Sequence, residues 1–325
     1  MSTQQTIPAI RTPKALFRFS ALVLGFMVLV ILWGAVVRAT SSGAGCGKNW
    51  PLCNGDFVPH HPRLATVIEY THRSMSGVCT TLVAALLAWT LWARPRGDRA
   101  RTAAIWSAVL LVTEALLGAL LVLGGYVEHN TSDARVLVQC IHFTNTMLLL
   151  AALSLTWWFL RPQNDLSPST KTELLACRTP ARWAILLTII TGATGSVAAL
   201  ADTLFPATSL RAGLAADFDP SSPLLVHMRW MHPASTILAT LAILWLATRS
   251  TPTRRSWLVS LVLLQLALGL ADISLLAPIS LQVLHLLGAD LLWIALVAIA
   301  GEALWPQRVV AIAQHAQTSG PLTAN

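Results

Sequence analysis

Four histidines, His72, His142, His232 and His285, stand inside long apolar stretches, where an ionisable side chain is costly and is kept for what it binds. One such histidine reads as a packing residue; four at matching positions read as ligands. Neutral imidazole is the usual protein ligand of haem iron, and neighbouring helices can bring one ring to each face of a porphyrin. The expected pairs are His72 with His142 and His232 with His285. Zinc or copper is the rival. No carboxylate or thiol cluster accompanies the rings at ligand spacing, however, and a long apolar slot suits a flat macrocycle better. The sequence has no Cys-x-x-Cys-His, so a haem would be held non-covalently.

Two carboxylates accompany the first histidine pair. Glu69 precedes His72 by three residues, about one turn outward on the same face, and Glu114 lies deep in another apolar stretch. A carboxylate in a desolvated pocket can act as a base or stabilise cationic character at a carbon being oxidised. The plainer roles are an ion pair of Glu69 with Arg73 and a hydrogen-bonded packing role for Glu114. Arg38, Arg73 and Arg229, near the outer ends of apolar stretches, are candidate clamps for haem propionates, with snorkelling to the interface as the alternative. His227 competes with His232 as a ligand. His232 is preferred because its depth matches the other three. His60, His61 and His129 in outer loops and His315 in the tail read as solvated.

The elements that must position these residues are membrane helices. Of the 325 residues, 55% are hydrophobic and 11% charged, and the mean hydropathy is +0.63. A soluble domain is hard to draw from that composition. Crossing hydrocarbon takes ~20 apolar residues, which predicts spans over 16–38, 66–92, 102–124, 136–160, 181–201, 224–247, 256–276 and 279–304. The first is longer than a secretory signal core and is read as a true span. Each of the four histidines then stands six to eight residues past the outer start of its span, about 9–12 Å into the membrane.

The net charge of +8 reflects topology. Arg11, Lys14 and Arg18 precede the first span; Arg94, Arg96, Arg99 and Arg101 fill the second loop; Arg161, Lys171, Arg178 and Arg182 lie in or beside the fourth; Arg249, Arg254 and Arg255 fill the sixth. The intervening loops hold far fewer cations, which puts both termini in the cytoplasm and excludes a nucleic-acid partner. Cys46 and Cys53 share the first outer loop, where an oxidising compartment allows a disulfide, with two free thiols as the alternative.

The chain repeats itself. Val-Leu-Val-Gln139-Cys-Ile-His142 matches Ile-Ser-Leu-Gln282-Val-Leu-His285, and Glu114 four before Gly118 matches Gln265 four before Gly269. Gly34 to Arg38 is matched more weakly by Gly192 to Ser196. The expected architecture is all-α: eight transmembrane helices in two pseudo-symmetric four-helix bundles, over 1–160 and 181–325, joined by a cytoplasmic linker at 161–180. The differences carry information. The amino half has Glu69 and Glu114 where the carboxy half has Arg229 and Gln265. Chemistry is therefore assigned to the amino half and a structural or electron-transfer haem to the carboxy half.

The segment Gly34-Ala-Val-Val-Arg-Ala-Thr-Ser-Ser-Gly43, then Cys46, Trp50-Pro-Leu-Cys-Asn-Gly55 and Glu69-Tyr-Thr-His-Arg73, resembles the amino-terminal signature of haem A synthases. The resemblance extends through His142, Met231-His232-Pro233 and His285-Leu-Leu-Gly-Ala-Asp290, with His-Pro standing where many relatives have His-Arg. It implies haem b in the carboxy half and haem O as substrate in the amino half. The C8 methyl of haem O would be hydroxylated in successive steps and lose water to give the formyl group of haem A, the cofactor of terminal oxidases. It further implies that Glu69 is needed for turnover, that Cys46 and Cys53 can form a disulfide, and that the chain sits in the bacterial plasma membrane. The partners expected are haem O, haem A, membrane lipid, haem O synthase and terminal oxidase subunits, with self-association left open. A di-haem cytochrome passing electrons from quinol is the competing class. A transporter would want a site nearer the midplane, and haem O synthase would need Asp-rich motifs, which this sequence lacks.

Overall fold

The computed structural model describes residues 13–162 and 171–305; Arg11, His315 and linker residues 163–170 lie outside them. Eight helices among the described residues are long and apolar enough to cross a membrane. The chain is a multi-pass membrane protein. In lipid no water is present to satisfy backbone groups, so each span closes its hydrogen bonds within itself.

The elements are α1 (Lys14–Ala39), α2 (Leu64–Ala93), α3 (Arg99–Leu123), α4 (Asp133–Phe159), α5 (Lys171–Leu204), the short α6 (Leu210–Ala216), α7 (Leu224–His227), α8 (Met231–Thr248), α9 (Pro252–Ser274) and α10 (Ile279–Leu304). Helix starts carry local signals. The Asp98 side chain accepts from the Ala100 amide, Ser132 from Arg135, and Pro252 opens α9, where its missing N–H costs nothing.

Packing repeats as the sequence does. In the amino half α1 and α3 each pack on α2 and α4; in the carboxy half α5 and α9 each pack on α8 and α10. The halves meet through α1 and α4 against α5 and α10. At that seam Trp293 Nε1 donates to the Met147 carbonyl at 2.9 Å. A Cβ on Gly192 would lie 2.2 Å from Met147 Sδ, so α4 and α5 approach as closely as they do because residue 192 has no side chain.

Two elements differ from the sequence reading. Residues 171–180, assigned there to the linker, form the first turns of α5, which runs through Pro180. A proline is expected to end a helix, but Cys177, Ala181 and Ala184 make a buried stripe that spans it, and packing of that stripe outweighs the lost bond. The sixth span is broken into α7 and α8 by a single 3-10 turn, Met228–Trp230. Pro233 has no N–H for the Arg229 carbonyl four residues back, and the chain tightens there instead.

The loop between α1 and α2 is folded tightly. Cys46 and Cys53 are disulfide-bonded, with their Cα atoms 4.4 Å apart. The Thr66 hydroxyl donates to the Gly45 carbonyl at 2.7 Å, which docks the loop on the first turn of α2.

Candidate functional site

Each half presents two histidines from its second and fourth spans. His72 stands eight residues after the start of α2, His142 nine after that of α4, His232 eight after that of α7, and His285 six after that of α10. At 1.5 Å per residue all four lie about 9–14 Å from their helix starts.

In the carboxy half the ring centres of His232 and His285 are 6.3 Å apart, with their planes at 86°. Two imidazoles bonded at ~2 Å to opposite faces of one metal have ring centres about 6 Å apart, and each plane need only contain its own metal–nitrogen bond. The observed pair has that spacing. His232 Nδ1 lies 3.1 Å from the Thr191 carbonyl. Donation there leaves the Nε2 lone pair free for a metal. The Gln265 amide lies 3.2 Å from both ring nitrogens of His285 and donates to the His285 carbonyl at 3.1 Å.

The amino half repeats this with a change of charge. Glu114 Oε1 lies 3.0 Å from His142 Nδ1, at the position Gln265 takes beside His285. Asn145 donates to the same carboxylate at 2.6 Å, and the Thr146 hydroxyl donates to it as well. The Glu114–His142 approach is close but not aligned as a hydrogen bond; a carboxylate this near places negative charge beside the imidazole. His72 Nδ1 is buried and has no hydrogen-bond partner among the described residues. The titratable groups around it are His142, Glu114 and Arg73.

Three glycines make room for the rings. A Cβ on Gly34 would lie 3.1 Å from His72 Cε1, one on Gly195 2.9 Å from His232 Cε1, and one on Gly269 3.0 Å from His285 Cε1. Gly34 walls His72 and Gly195 walls His232, so the structure pairs Gly34 with Gly195, three residues beyond the Gly192 that the sequence match set against it. The signal of this wall was one glycine in each segment; Thr191, one turn away, gave none.

The remaining candidates are all engaged with protein. Glu69 is 3% exposed. Its Oε1 pairs with Arg73 at 2.5 Å and its Oε2 accepts the Cys46 amide at 2.7 Å. Arg73 also donates to the carbonyls of Asn49 and Leu52, both at 2.6 Å. Glu69 and Arg73 thus bind the disulfide loop to the turn of α2 above His72. Arg229 donates to Asp217 at 2.7 Å, to Asp202 at 3.1 Å and to the Gly213 carbonyl at 3.0 Å, which ties α6 to the sixth span. His227 Nδ1 lies 2.8 Å from the Asp217 carbonyl and so belongs to this Arg229–Asp217 cluster, whereas His232 faces His285. Arg38 leaves its own half: it donates to the Ala199 carbonyl and the Thr203 hydroxyl, both at 2.6 Å, and to Gln282 Oε1 at 2.7 Å.

The residues present fit a flat iron macrocycle gripped from two helices: paired intramembrane imidazoles, glycines against the rings, and for His232 a carbonyl within hydrogen-bond reach of Nδ1. Residues 17–297 match the family of cytochrome oxidase assembly proteins. The chain is 40% identical over 298 residues to a protoheme IX farnesyltransferase of Thermus thermophilus, covering 87% of this chain and 47% of that protein. It is 37% identical over 135 residues to a haem A synthase of Exiguobacterium sibiricum, covering 42% of this chain and 43% of the relative. With a haem A synthase of Bacillus cereus the identity is 40% over 131 residues, 40% and 39% of the two chains. The matches span about half the length, or less, of these curated relatives.

Proposed function

The chain belongs to the cytochrome oxidase assembly protein family, and from that premise we propose that it is a haem A synthase, oxidising the C8 methyl of haem O to a formyl group in the bacterial plasma membrane. His232 and His285 would hold haem b in the carboxy half; His72 and His142 would hold the substrate in the amino half. Bound haem b supplies a one-electron redox couple. The single observation that carries the reading is the pair of equivalent sites differing in charge: Glu114 against His142 where Gln265 stands against His285. Oxidising a methyl group withdraws several electrons and protons from one carbon. Carboxylates beside one site suit it for that chemistry, and their replacement beside the other suits it for carrying electrons.

Glu69 is the proposed catalytic carboxylate, one turn outward from His72 and fixed by Arg73 and the Cys46 amide. The halves divide as substrate unit and haem b unit, with the termini cytoplasmic because the cation-rich loops lie on that side. Prenyl transfer, named for the Thermus relative, belongs to a protein about twice as long. Here the closest acidic pair, Asp217 and Asp219, is taken by Arg229 and by the amide and hydroxyl of Ser221.

Expression of the chain in cells that make haem O but no haem A should yield haem A in the extracted pigments. Only haems B and O after stable accumulation of the protein would overturn the reading. The ring walls give a second test. Gly195→Val should drive a side chain into His232, at an overpacking cost of about 1–3 kcal/mol. Haem binding by the carboxy half, measured by titrating haem b into the purified apoprotein, should weaken about tenfold or more. Unchanged binding would mean that the His232 ring does not use this wall.

A further inference from the structure

Arg38 lies where the two halves touch on their pseudo-symmetry axis. Gly34 and Gly195 are equivalent, so the equivalent of Arg38 is Ala199, and Arg38 donates to the Ala199 carbonyl itself. A residue in contact with its own symmetry mate must lie on the axis. The guanidinium is nonetheless not shared evenly. One Nη reaches Thr203 on α5 and the other reaches Gln282 on α10, both in the carboxy half. Gln282 is one turn before His285, and Ala199 is one turn beyond Gly195, which walls His232. Across the axis Ala199 has only a methyl group and offers Gln139, the equivalent of Gln282, no cation; Arg135, the buried cation of the amino half one turn before Gln139, is held by the carbonyls of Glu128 and Asn130. Asp202 and Asp272 are the counter-charges that act on Arg38. Asp202 is also paired with Arg229, whereas Asp272 Oδ1 is buried without a hydrogen-bond partner among the described residues.

We propose that Arg38, supplied by the amino half, is a positioning and electrostatic residue of the carboxy-half site: it holds Gln282 and α5 in register around the His232–His285 pair and raises the reduction potential of the iron held there. The inference rests on the haem reading above and deepens it. A fixed cation in a low-dielectric region stabilises the reduced iron by lowering the cost of its added electron. Because the cation is turned to one side of a symmetric pair of sites, it makes the carboxy half the better electron acceptor. Electrons withdrawn from the substrate in the amino half then run toward His232 and His285.

The test is an optical redox titration of the full-length protein reconstituted with haem b, with His232→Ala used to identify which signal belongs to the carboxy half. In R38Q that signal should need a lower ambient potential. At a fixed potential its reduced-to-oxidised ratio should fall about tenfold, equivalent to ~59 mV for one electron, with a smaller change in the amino-half signal. R38K, which keeps the charge, should retain most of the potential. Thr203→Val, which removes one acceptor and no charge, should move it in the same direction by less and serves if R38Q does not accumulate. A carboxy-half midpoint unmoved in R38Q, or in Thr203→Val if R38Q does not accumulate, overturns the proposal, as does a larger shift in the amino half. Wild-type protein that takes up no haem overturns the haem reading itself, so the two failures are distinct.

Discussion

Glu69→Gln is expected to lower formation of haem A by about 10²–10⁴-fold while leaving the absorbance and redox behaviour of the carboxy-half haem in place. The amide keeps the size of the side chain and can still accept the Cys46 N–H, but its NH2 then faces the Arg73 guanidinium, donor against donor, where the carboxylate now pairs at 2.5 Å. Removing one partner of a buried ion pair costs about 3–5 kcal/mol locally. That cost falls on the loop, because Arg73 also carries the carbonyls of Asn49 and Leu52. The measurement is haem A per haem B in membranes, with the protein level held constant. The same variant separates the two classes left open by the histidines. A pure electron carrier would lose little, whereas a synthase loses its product. Product within a few-fold of wild type would reduce Glu69 to an anchor for the disulfide loop.

The second large effect is expected from the carboxy-half pair. Outer-shell partners of a metal-binding histidine already contribute 10–100-fold in affinity, so loss of a ligand ring should exceed that range. His285→Ala removes one of two rings 6.3 Å apart and leaves the Gln265 amide facing a cavity. Haem b content of the purified protein should fall at least ~100-fold in affinity at that site, with the amino-half signal retained. His227→Ala should leave haem content near wild type, because that ring meets the Asp217 carbonyl in the Arg229 cluster. The reverse outcome would move the axial ligand from His232 to His227.

The eight spans, the depth of the histidines and the exchange of Glu114 for Gln265 were all legible along the chain. The reason is that a bilayer acts on each segment separately. Each span must be apolar for its own length and satisfy its own backbone, so a charge or an imidazole within it stands out without knowledge of its neighbours. The repeat added pairing, since Gln-x-x-His in two spans implies two equivalent sites.

What the tertiary structure decided is how each helix is turned about its axis and where the halves meet. Arg38 finds partners 161, 165 and 244 residues away, and nothing in its local sequence separates a propionate clamp from a bridge between halves. Glu69 likewise offered Arg73 by spacing, but its Cys46 partner exists only because the loop folds back on α2. The extension of α5 through Pro180 depends on a stripe that is buried only once its neighbours pack against it. Hydropathy along a chain fixes depth in the membrane, a one-dimensional quantity; rotation and partner choice arise from side-chain packing between distant segments, which that pattern does not encode.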